Sequence, residues 1–370
     1  MPSVKILLLG VTGDLARKKI LPAVGEFAVR NKHECTVSLI GYSRSQPDEV
    51  DVKNALNAVA ENGSDSLNAL TFLQGQYEDA AYYNTVISEL KPDEQLIVYL
   101  AVPPQVFVPF LKNSCPFSAH PIDIIIEKPF GQTRAEAEQM IDIIRACDLH
   151  QRVHFFDHYL FKSAAFLSHD SIEKINAFSA GKTAKKILIQ AIESIGVKGR
   201  GGYYDQTGAI VDMVPHLYSL LRLTGNTLGL LLVDTLKIKK VHTEQYPGYL
   251  ADVEVDDSKT ETYFFASGVC GDINIELESG KMQPQKLTQI SVEYDDGTKI
   301  LWQFAPKEKL VFIDKNTVSE IVIENGAELD HTRAFEMTLA SNFGHFVTNE
   351  RVVEGWQAIE SARAAPDFNV

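Results

Sequence analysis

Apolar residues along this chain follow two rhythms, one after the other. Through the first 160 residues, unbroken apolar runs at 4–9, 36–40, 70–73, 96–102, 122–126 and 153–156 alternate with amphipathic stretches such as 134–147. A run that is apolar on both faces suits a strand covered on both sides, and strands of that kind alternating with helices build a parallel, doubly wound sheet. After residue 162 the pattern changes. A helical stretch reaches about 178, a strand is expected over 186–192, and a helix over 208–223. From 230 onward the segments 230–241, 260–265, 272–277, 287–294, 299–304, 310–312 and 320–323 read as a mostly antiparallel sheet. Asp295-Asp296-Gly297 and Asn325-Gly326 are hairpin signals, and helical periodicity returns at 333–347 and 352–364.

Glycines mark where the first pattern becomes chemistry. The opening strand ends at Gly10, and Val11, Thr12, Gly13, Asp14 and Leu15 lead into an amphipathic helix. Such a turn lets backbone N–H groups and a helix N-terminus approach a pyrophosphate, although G-x-x-G alone fits any strand-to-helix turn. With the alternation around it, the expected fold class is α/β: an N-terminal Rossmann-type doubly wound parallel sheet over 1–160, then a C-terminal α+β domain over 161–370 with a large, mostly antiparallel sheet. The second strand ends in Ser43 and Arg44 where a site for NAD would carry an acidic residue. An arginine beside hydroxyls suits the 2′-phosphate of NADP, so NADP is favoured with NAD still possible, and the competing reading is a solvated loop arginine.

Further candidates follow at strand ends. Lys128 comes just after the fifth apolar run, where ligands of open α/β sheets lie, and can hydrogen-bond a hydroxyl undergoing oxidation. His158, Tyr159 and Lys162 follow the sixth run and together offer a clamp for a phosphate. The densest stretch is 193–216, with Gly196, Gly199, Gly201, Gly202 and Gly208 beside Glu193, Asp205, Asp212 and His216. Asp212 and His216 stand four apart. On one helix face they form a carboxylate that orients an imidazole general base, or, read singly, a surface pair. Pro215 predicts that a helix kinks or begins just before His216.

Composition narrows the partners. In 370 residues, 45% hydrophobic and 23% charged, a large core in two domains is expected, and a formal charge of −14 argues against nucleic acid or an acidic membrane surface. Phosphate must then meet a local basic pocket. The N-terminal apolar run is too short to span a membrane and lacks signal-peptide features, so a cytoplasmic location is expected. Cys35, Cys115, Cys147 and Cys270 are scattered without metal-ligand or disulfide-framework spacing and read as reduced thiols.

Taken together, G-V-T-G-D-L-A-R-K-K (10–19), G-Y-S-R-S (41–45), L-A-V-P-P (100–104), E-K-P-F-G (127–131) and D-H-Y-L-x-K (157–162) resemble the glucose-6-phosphate dehydrogenase family. E-x-x-G-V-x-G-R-G-G-Y-x-D (193–205), Q-Y-P-G-Y (245–249), S-K-T-E-T-Y (258–263) and S-G-K (279–281) extend the resemblance. It implies a phosphorylated hexose as substrate and marks Gly10, Thr12, Gly13, Asp14, Leu15, Ser43, Arg44, Ala101, Pro103 and Lys128 as NADP contacts. By the same resemblance Lys128 meets the C1 hydroxyl, and His158, Tyr159 and Lys162 meet the 6-phosphate. Glu193, Asp212 and Lys281 meet other sugar hydroxyls, and His216 is the base. A homodimer or tetramer is the assembly it allows. The chain departs from the family in having one residue fewer between Asp212 and His216, in Ser163 where the family has glutamate, and in its shorter C-terminal part. D-x-x-x-H together with E-K-P also resembles the Gfo/Idh/MocA sugar oxidoreductases, which leaves another sugar or another carbon open.

Overall fold

Six strands grow from the six apolar runs: β1 (Ser3–Leu9), β2 (Thr36–Ser43), β3 (Leu67–Gln74), β4 (Glu94–Leu100), β5 (Ile122–Glu127) and β6 (Val153–Phe156). In the computed structural model every residue is described except 92–93, 231, 233–235, 253, 257–258, 316, 325, 327 and 366–370, and the side chains at 80 and 82. The strands are parallel throughout and ordered β3-β2-β1-β4-β5-β6. Helices α1 (Leu21–Asn31), α2 (Glu49–Leu56), α3 (Ala80–Ser88), α4 (Phe107–Asn113) and α5 (Arg134–Ala146) connect them. β5 is buried at all six positions, the mark of a strand with helices on both faces. Between β1 and β4 the strand order reverses, which opens a crevice at their carboxyl ends.

The second half holds α6 (His169–Ser179), β7 (Ala184–Ile192), α7 (Gly201–Leu228), β8 (Lys237–Glu244), β9 (Tyr263–Cys270) and β10 (Ile273–Gly280). It continues with β11 (Leu287–Tyr294), β12 (Lys299–Ala305), β13 (Lys309–Asp314), β14 (Thr317–Val322), α8 (Asp330–Leu339) and α9 (Asn349–Arg363). Its sheet runs β14-β13-β12-β11-β7-β10-β9-β8. β7 and β10 are its one parallel pair among the described residues; the other neighbours are antiparallel. Strands β9, β11 and β12 alternate buried and half-buried positions along their length, as expected for a sheet with one face on a core. The Asp295–Gly297 turn joins β11 to β12, with Gly297 at φ +82° where a side chain would be strained. Asn325 lies outside the described residues, and the segment after β14 leads into α8, so no hairpin is seen there among them. The run expected at 230–241 lies partly outside them at 231 and 233–235, and β8 begins at Lys237.

Contacts divide the chain into Met1–Phe161 with Ala327–Asn349, and Lys162–Gly326 with Glu350–Val370. This corrects the division at 160/161, because α8 rejoins the first unit. Its polar side chains explain the return: His331 Nε2 lies 3.0 Å from Glu127 Oε1, and Thr332 Oγ1 donates to Glu26 Oε2 at 2.6 Å. Phe335 fills the space between Phe27 and Tyr99, at ring distances of 5.7 and 5.6 Å. Periodicity announces that such a helix has a buried face but cannot name the surface that covers it. The helix expected over 333–347 stops at Leu339, and Ser341 follows with φ +52°.

The cysteines also require a correction. Cys35 and Cys270 are buried thiols outside this disulfide, whereas Cys115 and Cys147 are joined as a disulfide with their Cα atoms 4.6 Å apart. Thirty-two residues separate the two in sequence, and only the packing of α4 and α5 brings them together.

Candidate functional site

In the first unit the crevice between β1 and β4 is built of backbone. Gly10 has φ +83°, its N–H donates to the Tyr42 carbonyl at 2.8 Å, and a Cβ placed on it would stand 2.2 Å from the Ala101 carbonyl oxygen. No side chain fits there, so the floor stays low enough for a phosphate group to approach N–H donors. Gly13 N–H closes the turn onto the Gly10 carbonyl at 2.8 Å. Val11 is buried, Thr12 half-buried, and Asp14 and Leu15 exposed; Ala101 and Pro103 lie across the crevice at the end of β4. Lys18 bonds Asp14 at 2.6 Å and holds its carboxyl below the usual carboxylate range.

At the end of β2, buried Ser43 donates to the Ser45 carbonyl at 2.6 Å, which closes the loop that carries Arg44. Arg44 is exposed, with its guanidinium 5.8 Å from the Tyr77 ring centroid and in hydrogen-bonding contact with the Tyr77 hydroxyl. This cradle fits a dinucleotide with a phosphorylated ribose. Lys128, half-buried, follows β5 and precedes a cis Lys128–Pro129 peptide. Beneath it, Glu127 is anchored in the interior by the Tyr99 hydroxyl at 2.7 Å and by His331. His158 and Tyr159 follow β6 with ring centroids 4.7 Å apart, and Asp157 accepts the Tyr159 N–H at 3.0 Å. Lys162, the last member of the expected clamp, belongs to the second unit, half-buried at the start of a short turn.

The second unit makes its cluster from side chains. β7 and β10 run parallel and end side by side, and the next residues, Glu193 and Lys281, form an ion pair. Lys281 is buried there, and an ammonium is stable in such a place only with a partner of this kind. Its Nζ also lies 5.6 Å from the Tyr204 ring centroid. The glycine stretch is tied down by Tyr246, whose hydroxyl accepts the Val197 N–H at 3.2 Å and donates to Asp252. A Cβ at Gly196 would come within 2.9 Å of that hydroxyl. Burial, with Asp252 beside it, pushes the Tyr246 phenol up to about 12, so it remains a donor. Asp205 accepts from Tyr249 at 3.2 Å and its carbonyl accepts from Thr260 at 2.7 Å.

The helix does not begin just before His216, one of the two outcomes expected from Pro215. Pro215 sits inside α7, and the break falls at Gly208, where φ is +67° and ψ 175°. There Glu261 acts as a cap from just ahead of β9: its carbonyl accepts the Ala209 N–H at 2.9 Å, and its Oε1 accepts the Ile210 N–H at 3.0 Å. A Cβ on Gly208 would stand 2.5 Å from the Glu261 carboxylate, which explains why glycine is needed at this joint. A new helical segment therefore starts at Ala209 and carries both Asp212 and His216, with Asp212 in its first turn where the helix dipole favours a carboxylate. Both are buried, at 7% and 1% exposure, and Tyr203 Oη lies 3.4 Å from Asp212 Oδ1. Pro215 instead lies against α9, where a Cβ on Gly355 would stand 4.0 Å from its Cα. Glu261 and Tyr204 are the residues that motif reading passed over. Glu261 lies within the S-K-T-E-T-Y stretch, but a cap supplied from a distant strand has no local spacing to reveal it.

Comparison with known proteins agrees with this architecture. The family described as glucose-6-phosphate dehydrogenase, NAD binding domain, matches residues 7–165, and glucose-6-phosphate dehydrogenase, C-terminal domain, matches 177–226. Together they take in more than half of the chain. A glucose-6-phosphate 1-dehydrogenase of Emericella nidulans is 26% identical over 358 residues, covering 83% of this chain and 70% of its own. The crystal structure of glucose-6-phosphate 1-dehydrogenase from Mycobacterium avium shares the fold with a TM-score of 0.81 at 20% identity, covering 99% of this chain and 92% of its own. A glucose-6-phosphate dehydrogenase in complex with its substrate glucose 6-phosphate gives 0.78 at 18% identity, covering 99% and 93%. With the glycine crossover of the first unit and the carboxylate and lysine cluster of the second, these matches establish that the chain belongs to the glucose-6-phosphate dehydrogenase family.

Proposed function

We propose that this protein oxidises glucose 6-phosphate at C1 to the lactone with NADP as acceptor. Family membership supports the reaction class, and the observation that carries the reading to a sugar is the cluster of Glu193, Lys281 and Asp212 in the second unit. A buried ammonium paired with the half-buried Glu193, and the buried Asp212 carboxylate, are suited to a ligand rich in hydroxyls, each of which donates and accepts.

Bound NADP supplies the hydride acceptor; the remaining roles fall to the chain. The Gly10–Gly13 turn lets the pyrophosphate approach the main chain at the start of the helix that follows it, with Thr12, Asp14, Leu15, Ser43, Ala101 and Pro103 around the nucleotide, and Arg44 receives the 2′-phosphate. Lys128 orients the C1 hydroxyl. His216 accepts its proton, and Asp212, on the same helical segment, favours the imidazolium that results. His158, Tyr159 and Lys162 supply the local positive and hydroxyl donors that a 6-phosphate needs in a chain of charge −14. The proposal extends to a cytoplasmic location and to self-association as a homodimer or tetramer, testable by fractionation and light scattering. Among the described residues no helix is long and apolar enough to cross a membrane.

Following NADPH absorbance with glucose 6-phosphate, free glucose and other hexose phosphates tests the reading. Glucose 6-phosphate should be turned over with the highest kcat/KM, and Lys162→Ala should raise its KM while leaving any activity on free glucose little changed. A wild type that oxidises free glucose equally well, or prefers a sugar without a 6-phosphate, overturns it.

A further inference from the structure

We propose that Tyr204 determines specificity in the sugar pocket, its hydroxyl donating a hydrogen bond to a ring hydroxyl of the bound hexose phosphate; this rests on the sugar-phosphate reading above. Tyr204 lies in the first helical segment of α7, at 1% exposure. Its phenolic oxygen is buried and has no hydrogen-bond partner among the described residues. Removing a hydroxyl from water without giving it a partner is costly, so an unpartnered buried hydroxyl calls for a reason.

The surroundings supply one. Burial first, and then the charges of Asp212, Glu261 and Glu193, push the phenol well above its ordinary value, so it is held as a donor. The same neighbours are engaged elsewhere: Glu193 with Lys281, Glu261 with the Ile210 N–H, and the Tyr249 hydroxyl with Asp205. Lys281 lies toward the face of the ring rather than at its hydroxyl. The phenol is thus a donor with no acceptor among the described residues, set among the residues proposed to bind the sugar. A sugar hydroxyl accepts one hydrogen bond while donating another, and would complete the set. Tyr203, next in sequence, is turned about a quarter of the helix away and serves Asp212 instead, so the two tyrosines have separate roles.

The test is Tyr204→Phe, which keeps the ring and removes only the donor. Without substrate the variant should melt at the wild-type temperature or above it, because no protein hydrogen bond is lost. Its KM for glucose 6-phosphate should rise roughly 3- to 10-fold while KM for NADP stays constant, the effect of one neutral hydrogen bond. Among 2-deoxy and 3-deoxy glucose 6-phosphate, one should be handled equally by wild type and variant, which identifies the hydroxyl in contact. The stabilisation of the protein by glucose 6-phosphate in thermal melts should shrink in parallel and gives a readout free of turnover. A variant that melts lower than wild type, with KM unchanged, would mean the hydroxyl serves the fold, and the proposal falls. A wild type that neither binds nor oxidises glucose 6-phosphate overturns the parent reading, and this one with it, whereas failure confined to the variant leaves the parent reading standing.

Discussion

Two pairs of parallel strand ends organise this molecule, and on the function proposed above they solve different problems with different materials. At β1 and β4 the surface is main chain: Gly10 presses against the Ala101 carbonyl with no room for a side chain, and what a ligand would meet there is backbone. At β7 and β10 it is side chain: Glu193 and Lys281 pair across the two strand ends, with Tyr204 and Asp212 supplied by the broken helix α7. A diphosphate is the same in every nucleotide and can be met by backbone geometry. A sugar must be told from other sugars, and that takes donors and acceptors chosen one at a time. The first site should therefore be sensitive to added bulk and the second to lost functional groups.

The largest effect expected is on the side-chain site. His216→Asn should lower kcat on glucose 6-phosphate on the order of 100-fold or more, with KM for NADP unchanged, because only proton transfer is lost. Loss of cofactor binding in this variant would show that the two regions are not separable in this way. Next comes Gly10→Ala, which removes no functional group. With φ at +83° and a backbone oxygen at 2.2 Å from the added carbon, it should cost roughly 2–3 kcal/mol in stability, and NADP affinity should fall at least tenfold by titration. Normal NADP binding by this variant would refute the idea of a backbone-made floor.

Arg44→Ala sharpens the comparison, since it is the one side chain on which the backbone site is proposed to depend. It should weaken NADP about tenfold and leave NAD nearly unchanged, the scale of a charge-assisted hydrogen bond moderated by exposure. Equal losses for the two cofactors would return Arg44 to the solvated surface. The smallest effect belongs to Glu261. Burial raises its carboxyl pKa, while the Ile210 N–H pulls it down. A folded-state value above the unfolded one means that this group's contribution to stability is present below the ordinary carboxylate range and is lost as pH rises through the raised value. Glu261→Gln keeps an acceptor for the cap and removes the charge. In melts from pH 4 to 8 the variant should gain on wild type as pH increases, and parallel curves would count against a strained carboxylate at the helix break.

Some of this was open to view in the order of residues. Strands covered on both faces must be apolar throughout, so 4–9 and 122–126 stand out as unbroken runs, and Gly10 stands out because the turn after β1 admits no other residue. The antiparallel half is legible for a related reason: one covered face imposes alternation, and Gly297 supplies the turn between β11 and β12. The motif residues of the candidate site were visible as residue types. Their arrangement was less so. Pro215 has every local reason to break a helix, yet the break falls at Gly208 because Glu261, more than fifty residues later, caps the segment that begins there.

Local sequence therefore determined which segments become helix or strand and where the backbone needs glycine, because burial on one face or two, and a positive φ, leave their mark on neighbouring residues. Only the tertiary structure decided that α8 rejoins the first sheet through His331 and Glu127, that Cys115 meets Cys147, and that Glu193 pairs with Lys281. Only there does Tyr204 become a buried donor without a partner among the described residues. Each of these depends on groups far apart in the chain meeting in space, and a contact across 32, 88 or 204 residues leaves no periodicity behind for the sequence to carry.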